Sequence, residues 1–113
     1  MSDSMVLLVN AETFGHGDDT LGARLMSVFL DTLGEVGDRL THAIFVNGGA
    51  NLTVAGSPVL AQLEQLASLG VDLLTCGTCL DHFGVAEHPA VGRRSNMSEI
   101  VETLTTAGRI IRP

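Results

Sequence analysis

VDLLTCGTCLDHFG, residues 71–84, leads from a short apolar run directly into two cysteines separated by two residues. Residues 71–74 read as a strand, and Cys76 follows it at once; if the segment after Cys76 is helical, Cys79 lies one turn further on. Runs of the same kind occur at residues 5–9 and 43–46, and weaker ones at 90–91 and 109–111. The first three are continuous rather than alternating. That is the pattern of parallel strands covered by helices on both faces.

The segments between these strands carry helical spacing. Leu21, Leu25, Val28, Phe29 and Leu33 recur at helical intervals after Asp18 and Asp19, where a helix start favours acids, and Gly34 and Gly37 mark the exit. A second helix is predicted from Leu60, Leu63, Leu66 and Ala67, with Pro58 in its first turn and Gly70 as its stop. Asn96, with Glu99 three residues later, opens a last helix whose apolar stripe is Ile100, Val101 and Leu104 and whose C-terminal cap is Gly108. Strands alternating with helices require right-handed crossovers, which predicts a three-layer α/β/α fold with a mostly parallel five-stranded sheet.

In such sheets ligands bind beyond the carboxyl ends of the strands. Those ends are residues 10–19, 47–51, 76–84 and 92–96, and they hold Gly15, Gly17, Gly48, Gly49, Gly77, Gly84 and Gly92. Glycine distribution and cysteine pair thus select one edge. The candidate binding residues there are Gly15, His16, Gly17, Asn47, Gly48, Gly49, Gly77, Thr78 and Asn96, beside the candidate catalytic pair Cys76 and Cys79.

A chain of 113 residues, 45 % hydrophobic, closes one core, so residues 1–113 are expected to form a single domain. Thirteen acidic against six basic residues and a net charge of -7 disfavour nucleic acid as a partner, and aromatic residues at 4 % leave little to stack on bases. The opening MSDS has no basic leader character and the run at 5–9 is too short for a membrane span, which places the expectation in the cytoplasm, with no membrane partner. Cytoplasmic thiols stay reduced, and a close cysteine pair there points to catalysis, redox exchange or metal binding.

A sulfur at a helix start sees the positive end of the backbone dipole, which favours the thiolate nucleophile, and Cys76 is the better placed of the two. Asp81 and Glu87 oppose that effect; Arg93 and Arg94 assist it if the fold brings them over the loop. Two chemistries fit: transfer of persulfide sulfur, or dithiol exchange of the thioredoxin-like kind. Cys76, Cys79, His82 and His88 together would make a zinc set, but their spacing lacks the long loop of finger-type sites, so no metal is expected. Leu80 stands where haem attachment needs histidine. The loop AETFGHGDDTLG resembles a phosphate-binding turn, yet Asp18 and Asp19 would repel phosphate, and capping explains them better than Mg²⁺. His42 sits at the opposite strand end and reads as structural. No cofactor is expected.

GHGDDTLGARLM, FVNGGANLT, Gly56-Ser57, LLTCGTCLDHFG, AVG and NMSEIVETL, in this order, resemble the C-terminal domain of YedF-type proteins, sulfurtransferase-like and associated with selenium metabolism, within the wider DsrE/DsrF-like group. The resemblance covers nearly the whole chain. It implies a five-stranded parallel α/β/α fold, a homo-oligomer with a trimer favoured, and Cys76 as the sulfur-carrying position. YedF-type chains usually begin with a SirA/TusA-like carrier domain for which this chain has no room, so the sulfur donor or acceptor protein is expected to act in trans. The resulting expectation is sulfur or selenium relay on Cys76, with Cys79 shielding or releasing the cargo. The alternatives are a thioredoxin-like redox protein, or a non-enzymatic oligomeric module binding a small ligand or partner.

Overall fold

The apolar runs become five strands in the computed structural model, which describes residues 4–113. The MSD that opens the leader reading lies outside the described residues. The strands are β1 (Met5–Val9), β2 (His42–Phe45), β3 (Asp72–Cys76), β4 (Arg93–Ser95) and β5 (Arg109–Ile111). Their order across the sheet is β4-β3-β2-β1-β5, and every neighbouring pair is parallel. The helices are α1 (Asp19–Leu33), α2 (Leu60–Ser68), α3 (Gly77–Phe83) and α4 (Met97–Thr106), with 3-10 turns at Gly34–Arg39 and Asn47–Leu52. The expected α/β/α class is what forms.

Strand alternation divides the sheet into two unequal faces. Met5, Leu7, Val9, Ala43, Phe45 and Leu73 point to the face covered by α1 and α2, joining Met26, Leu30, Leu63 and Leu66 in the larger core. Val6, Ile44, Leu74 and Cys76 point the other way and meet Ile100 of α4 in a smaller one. Topology explains the split. From β1 to β3 the chain steps across the sheet in one direction, whereas the connection through α4 returns from β4 to the far edge beside β1, and a right-handed crossover in the reverse direction lies on the opposite face.

Four local expectations need correction. The buried stripe of α1 is Gly22, Met26, Leu30 and Leu33, while Leu21, Leu25 and Val28 are 54 %, 41 % and 54 % exposed. Two apolar stripes lie side by side on this helix, and periodicity alone does not say which one meets the sheet. The fourth strand is RRS at 93–95 rather than the apolar 90–91. Val91 is buried in the larger core, Gly92 turns at φ +75 with a Cβ there reaching within 2.6 Å of the Leu73 carbonyl oxygen, and only then does pairing with β3 begin. Pro58 precedes α2 in a turn where the Ser57 hydroxyl accepts from the Val59 N–H, and Gly70 at φ +95 ends the helix as expected. Gly108 does not cap α4: the helix ends at Ala107 in extended backbone, and the Gly108 N–H donates to the Ser4 carbonyl at 3.0 Å, feeding β5 in beside β1.

Candidate active site at the cysteine turn

Cys76 is the last residue of β3 and the first flank of α3. Its strand position sets its side chain on the smaller-core face with Leu74, where it is 2 % exposed. Cys79, one turn along α3, packs at the margin of the same cluster and is half-buried. Both thiols are free, and Cys76 is near enough to act on the ionisation of Cys79. The pair expected from sequence therefore exists, but the thiol open to an incoming molecule is Cys79, while Cys76 lies behind it.

A turn from β2 completes the thiol's surroundings. The backbone N–H of Asn47 donates to Cys79 Sγ at 3.1 Å. Asn47 adopts φ +49, the left-handed conformation that asparagine tolerates better than most residues. Gly49 follows, pressed so closely on the Val9 carbonyl that a Cβ has no room, and its N–H donates to Val46 at 2.9 Å. Gly48 rests against the backbone of Ala11 and Glu12. These two glycines seat the turn against β1, and the Asn47 amide faces the sulfur as a result. Burial pushes the Cys79 thiol up from its ordinary pKa; the Asn47 N–H pulls it down in part, and the neighbouring Cys76 thiol raises it further.

Cys79 opens into an apolar hollow of about 370 Å³ lined by Val46, Asn47, Thr78, Cys79, His82 and Phe83. On the other side of the first turn of α3 lies a more polar crevice of about 550 Å³, between the carboxyl ends of β3 and β4. Gly77, Thr78, His88, Arg93, Arg94, Ser95 and Asn96 line it, so Thr78 borders both spaces. The Arg94 guanidinium lies over Gly77, 2.8 Å from where a Cβ would stand, so a side chain there would have to displace it. Arg94 grips the Asp81 carboxylate with two bonds of 2.9 and 2.8 Å and donates to the Glu87 carbonyl at 3.1 Å, holding the Asp81 carboxyl below its usual range. The fold does bring Arg94 over the loop, but as half of a neutral pair. Arg93, its neighbour on a strand, turns to the opposite face and bridges Asp72 and Glu99.

The remaining predicted residues separate from the pair. Gly15, His16 and Gly17 lie on an exposed loop and line neither space; the loop folds onto α1 through Phe14 N–H to the Gly22 carbonyl. Asn96 caps α4, its side chain accepting from the Glu99 N–H at 2.9 Å. Asp18 caps α1, accepting from the Leu21 N–H at 2.7 Å. His82 and His88 face different spaces, and among the described residues no three His, Cys, Asp or Glu side chains gather as a metal-binding group. Val46, His82 and Phe83 were not singled out as walls of the site. The signals were present: positions 82 and 83 follow Cys79 by one turn, and the parallel register pairing Phe45 with Thr75 sets residue 46 beside residue 76.

The chain matches no protein-family model and no curated protein. Solved structures do resemble it. The YchN protein from E. coli superposes with a TM-score of 0.74 at 16% identity, covering 99% of this chain and 100% of that one. A protein of unknown function from Methanobacterium thermoautotrophicum gives 0.70 at 19% identity, over 99% and 100%. A conserved protein of unknown function from Bacteroides thetaiotaomicron gives 0.67 at 16%, over 98% and 95%. Identities this low speak for the fold, and on that ground the chain has the DsrE-like fold that these proteins share.

Proposed function

We propose that the cysteine pair handles sulfane sulfur, taking it from a donor persulfide and passing it to an acceptor thiol, within the DsrE-like family and on a YedF-type site. The observation that carries the reading is the half-buried Cys79 thiol, faced by the Asn47 N–H at 3.1 Å and backed by a second thiol, at the mouth of an apolar hollow. The thiolate of Cys79 attacks the outer sulfur of the donor. The donor's S–S bond breaks, and its thiolate leaves with the proton that Cys79 gave up, so no net oxidation occurs. A backbone N–H aimed at Cys79 Sγ stabilises the attacking thiolate before transfer.

The resemblance assigned the cargo to Cys76. Burial of that side chain favours a different order, with Cys79 as first acceptor and Cys76 as the second thiol, able to take the outer sulfur from Cys79 or hold it away from solvent. A SirA/TusA-like carrier is the kind of donor the resemblance implies. A trimer remains part of the same proposal. Dithiol exchange is the second reading, and the same burial gives it a direction: Cys79 attacks and Cys76 resolves.

The test is incubation with a cysteine desulfurase and sulfur-labelled cysteine, followed by intact mass without reductant. The chain gains one sulfur; Cys76→Ser retains the label and Cys79→Ser loses it. Label retained by Cys79→Ser reverses the order. An unlabelled chain that instead forms a Cys76–Cys79 disulfide with a disulfide substrate favours the redox reading.

A further inference from the structure

The hollow before Cys79 contains one ionisable side chain with no part in the chemistry above. His82 follows Cys79 by three residues on α3, which sets the two on one face of the helix with Cβ atoms about 5–6 Å apart. Both line the same hollow. The imidazole stands edge to face with the Phe83 ring, centroids 5.4 Å apart at 79°, and the residue is exposed, so the ring borders whatever enters.

Its surroundings isolate it from other charges. Val46, Asn47, Thr78 and Phe83, the remaining walls, carry no titratable side chain, nor does the Asn47–Leu52 turn packed against α3. β3 contributes Cys76 beside the site and Asp72 at its other end, tied to Arg93. On α3 itself Asp81 is gripped by Arg94. Beyond the helix, the Glu87 carbonyl accepts from Arg94, and the Glu87 carboxylate lies 4.0 Å from His88. Of these groups, only the imidazole both lines the hollow and is of a type suited to hand over a proton.

Displacement at sulfur proceeds in line. With S–S bonds of about 2.05 Å, the leaving sulfur departs roughly 4 Å beyond the attacking one. That reach from Cys79 compares with the spacing between side chains 79 and 82. An alkyl thiolate released into an apolar hollow is a poor leaving group, and both nearby guanidinium groups are already paired with carboxylates. We infer that His82 is the catalytic acid of this site, the imidazolium that protonates the departing thiolate when Cys79 takes sulfur; this rests on the reading of Cys79 as the attacking thiol. One electron pair of the Cys79 thiolate forms the new S–S bond. The pair of the broken S–S bond takes the imidazolium proton, and the proton that Cys79 released to solvent on forming its thiolate restores the imidazolium afterwards.

Two disulfide probes test the assignment, one aromatic with a strongly acidic leaving thiol and one alkyl with a weakly acidic leaving thiol, since only the second needs an acid. Their rate ratio cancels the ionisation of Cys79. In the unsubstituted chain the alkyl-to-aromatic ratio falls at least about fivefold as pH rises and the acid loses its proton. His82→Gln lowers the alkyl rate about tenfold at about pH 6 and leaves the aromatic rate within about twofold. A ratio insensitive to pH, or both rates falling together in the variant, overturns the assignment. The probes report thiol chemistry whatever the cargo. An intact His82 dependence with no desulfurase label therefore removes the sulfur reading alone, and label on Cys79 with a flat ratio removes the acid alone.

Discussion

Cys79 is governed by burial and two neighbours: burial raises its pKa, the Asn47 N–H lowers it, and the Cys76 thiol raises it again. Removing the nearest thiol while keeping the fold isolates one of them. Cys76→Ala should shift the alkylation of Cys79 toward lower pH, read as rate against pH by intact mass; an unchanged or upward shift would show that the two thiols do not interact. At this scale the sequence disclosed the pair, its place at the ligand-binding edge, and the helical turn between the two cysteines. Which thiol is accessible was not legible, because that depends on Cys76 sharing a strand face with Leu74 and lying under Ile100 of a later helix. Nor was the Asn47 contact, which joins residues 32 positions apart through a turn that reads as a plain Asn-Gly-Gly exit.

Elements built from strong periodicity were legible and those built from charge were not. β4 is two arginines and a serine; it pairs with β3 through its backbone, and Arg93 adds ties to Asp72 at 2.9 Å and to Glu99 of α4 at 2.7 Å. Glu99, expected to complete the start of α4 with Asn96, does supply the N–H that Asn96 caps, but its carboxylate goes to Arg93 and to the Ser95 hydroxyl. Those bonds, Arg93 first, hold its pKa down to about 2 from 4.5. A carboxyl depressed on folding stabilises the fold above its unfolded pKa, and this contribution disappears as pH falls through the folded value. Glu99→Gln should therefore flatten the fall of melting temperature between about pH 4.5 and 2 relative to the unsubstituted chain. Parallel melting curves for the two proteins across that window would remove the carboxylate from the account. The exposed stripe of α1 shows the converse limit, since Leu21, Leu25 and Val28 have helical spacing as good as that of the residues actually buried.

Across the whole molecule the fold class followed from continuous apolar runs alternating with helical ones, whereas strand order required contacts that no local pattern encodes. The unequal faces give a measurable asymmetry. Leu66 on α2 is fully buried in the larger core, and Leu66→Ala should cost about 3 kcal/mol. Leu104 on α4 is only partly buried against the smaller core, and Leu104→Ala should cost about 1 kcal/mol. Urea unfolding of both variants measures the difference, and equal losses would mean that the two layers contribute alike. The sheet's borders carry a further consequence. Both outer strands are three residues long, RRS on one side and RII on the other, each bearing arginine. Lateral growth of a sheet needs a long, flat, uncharged border on which another chain can lie. Crowded copies of this chain, each carrying a net charge of -7, meet short borders laced with charged side chains instead, and these give fibril growth by strand addition a poor template.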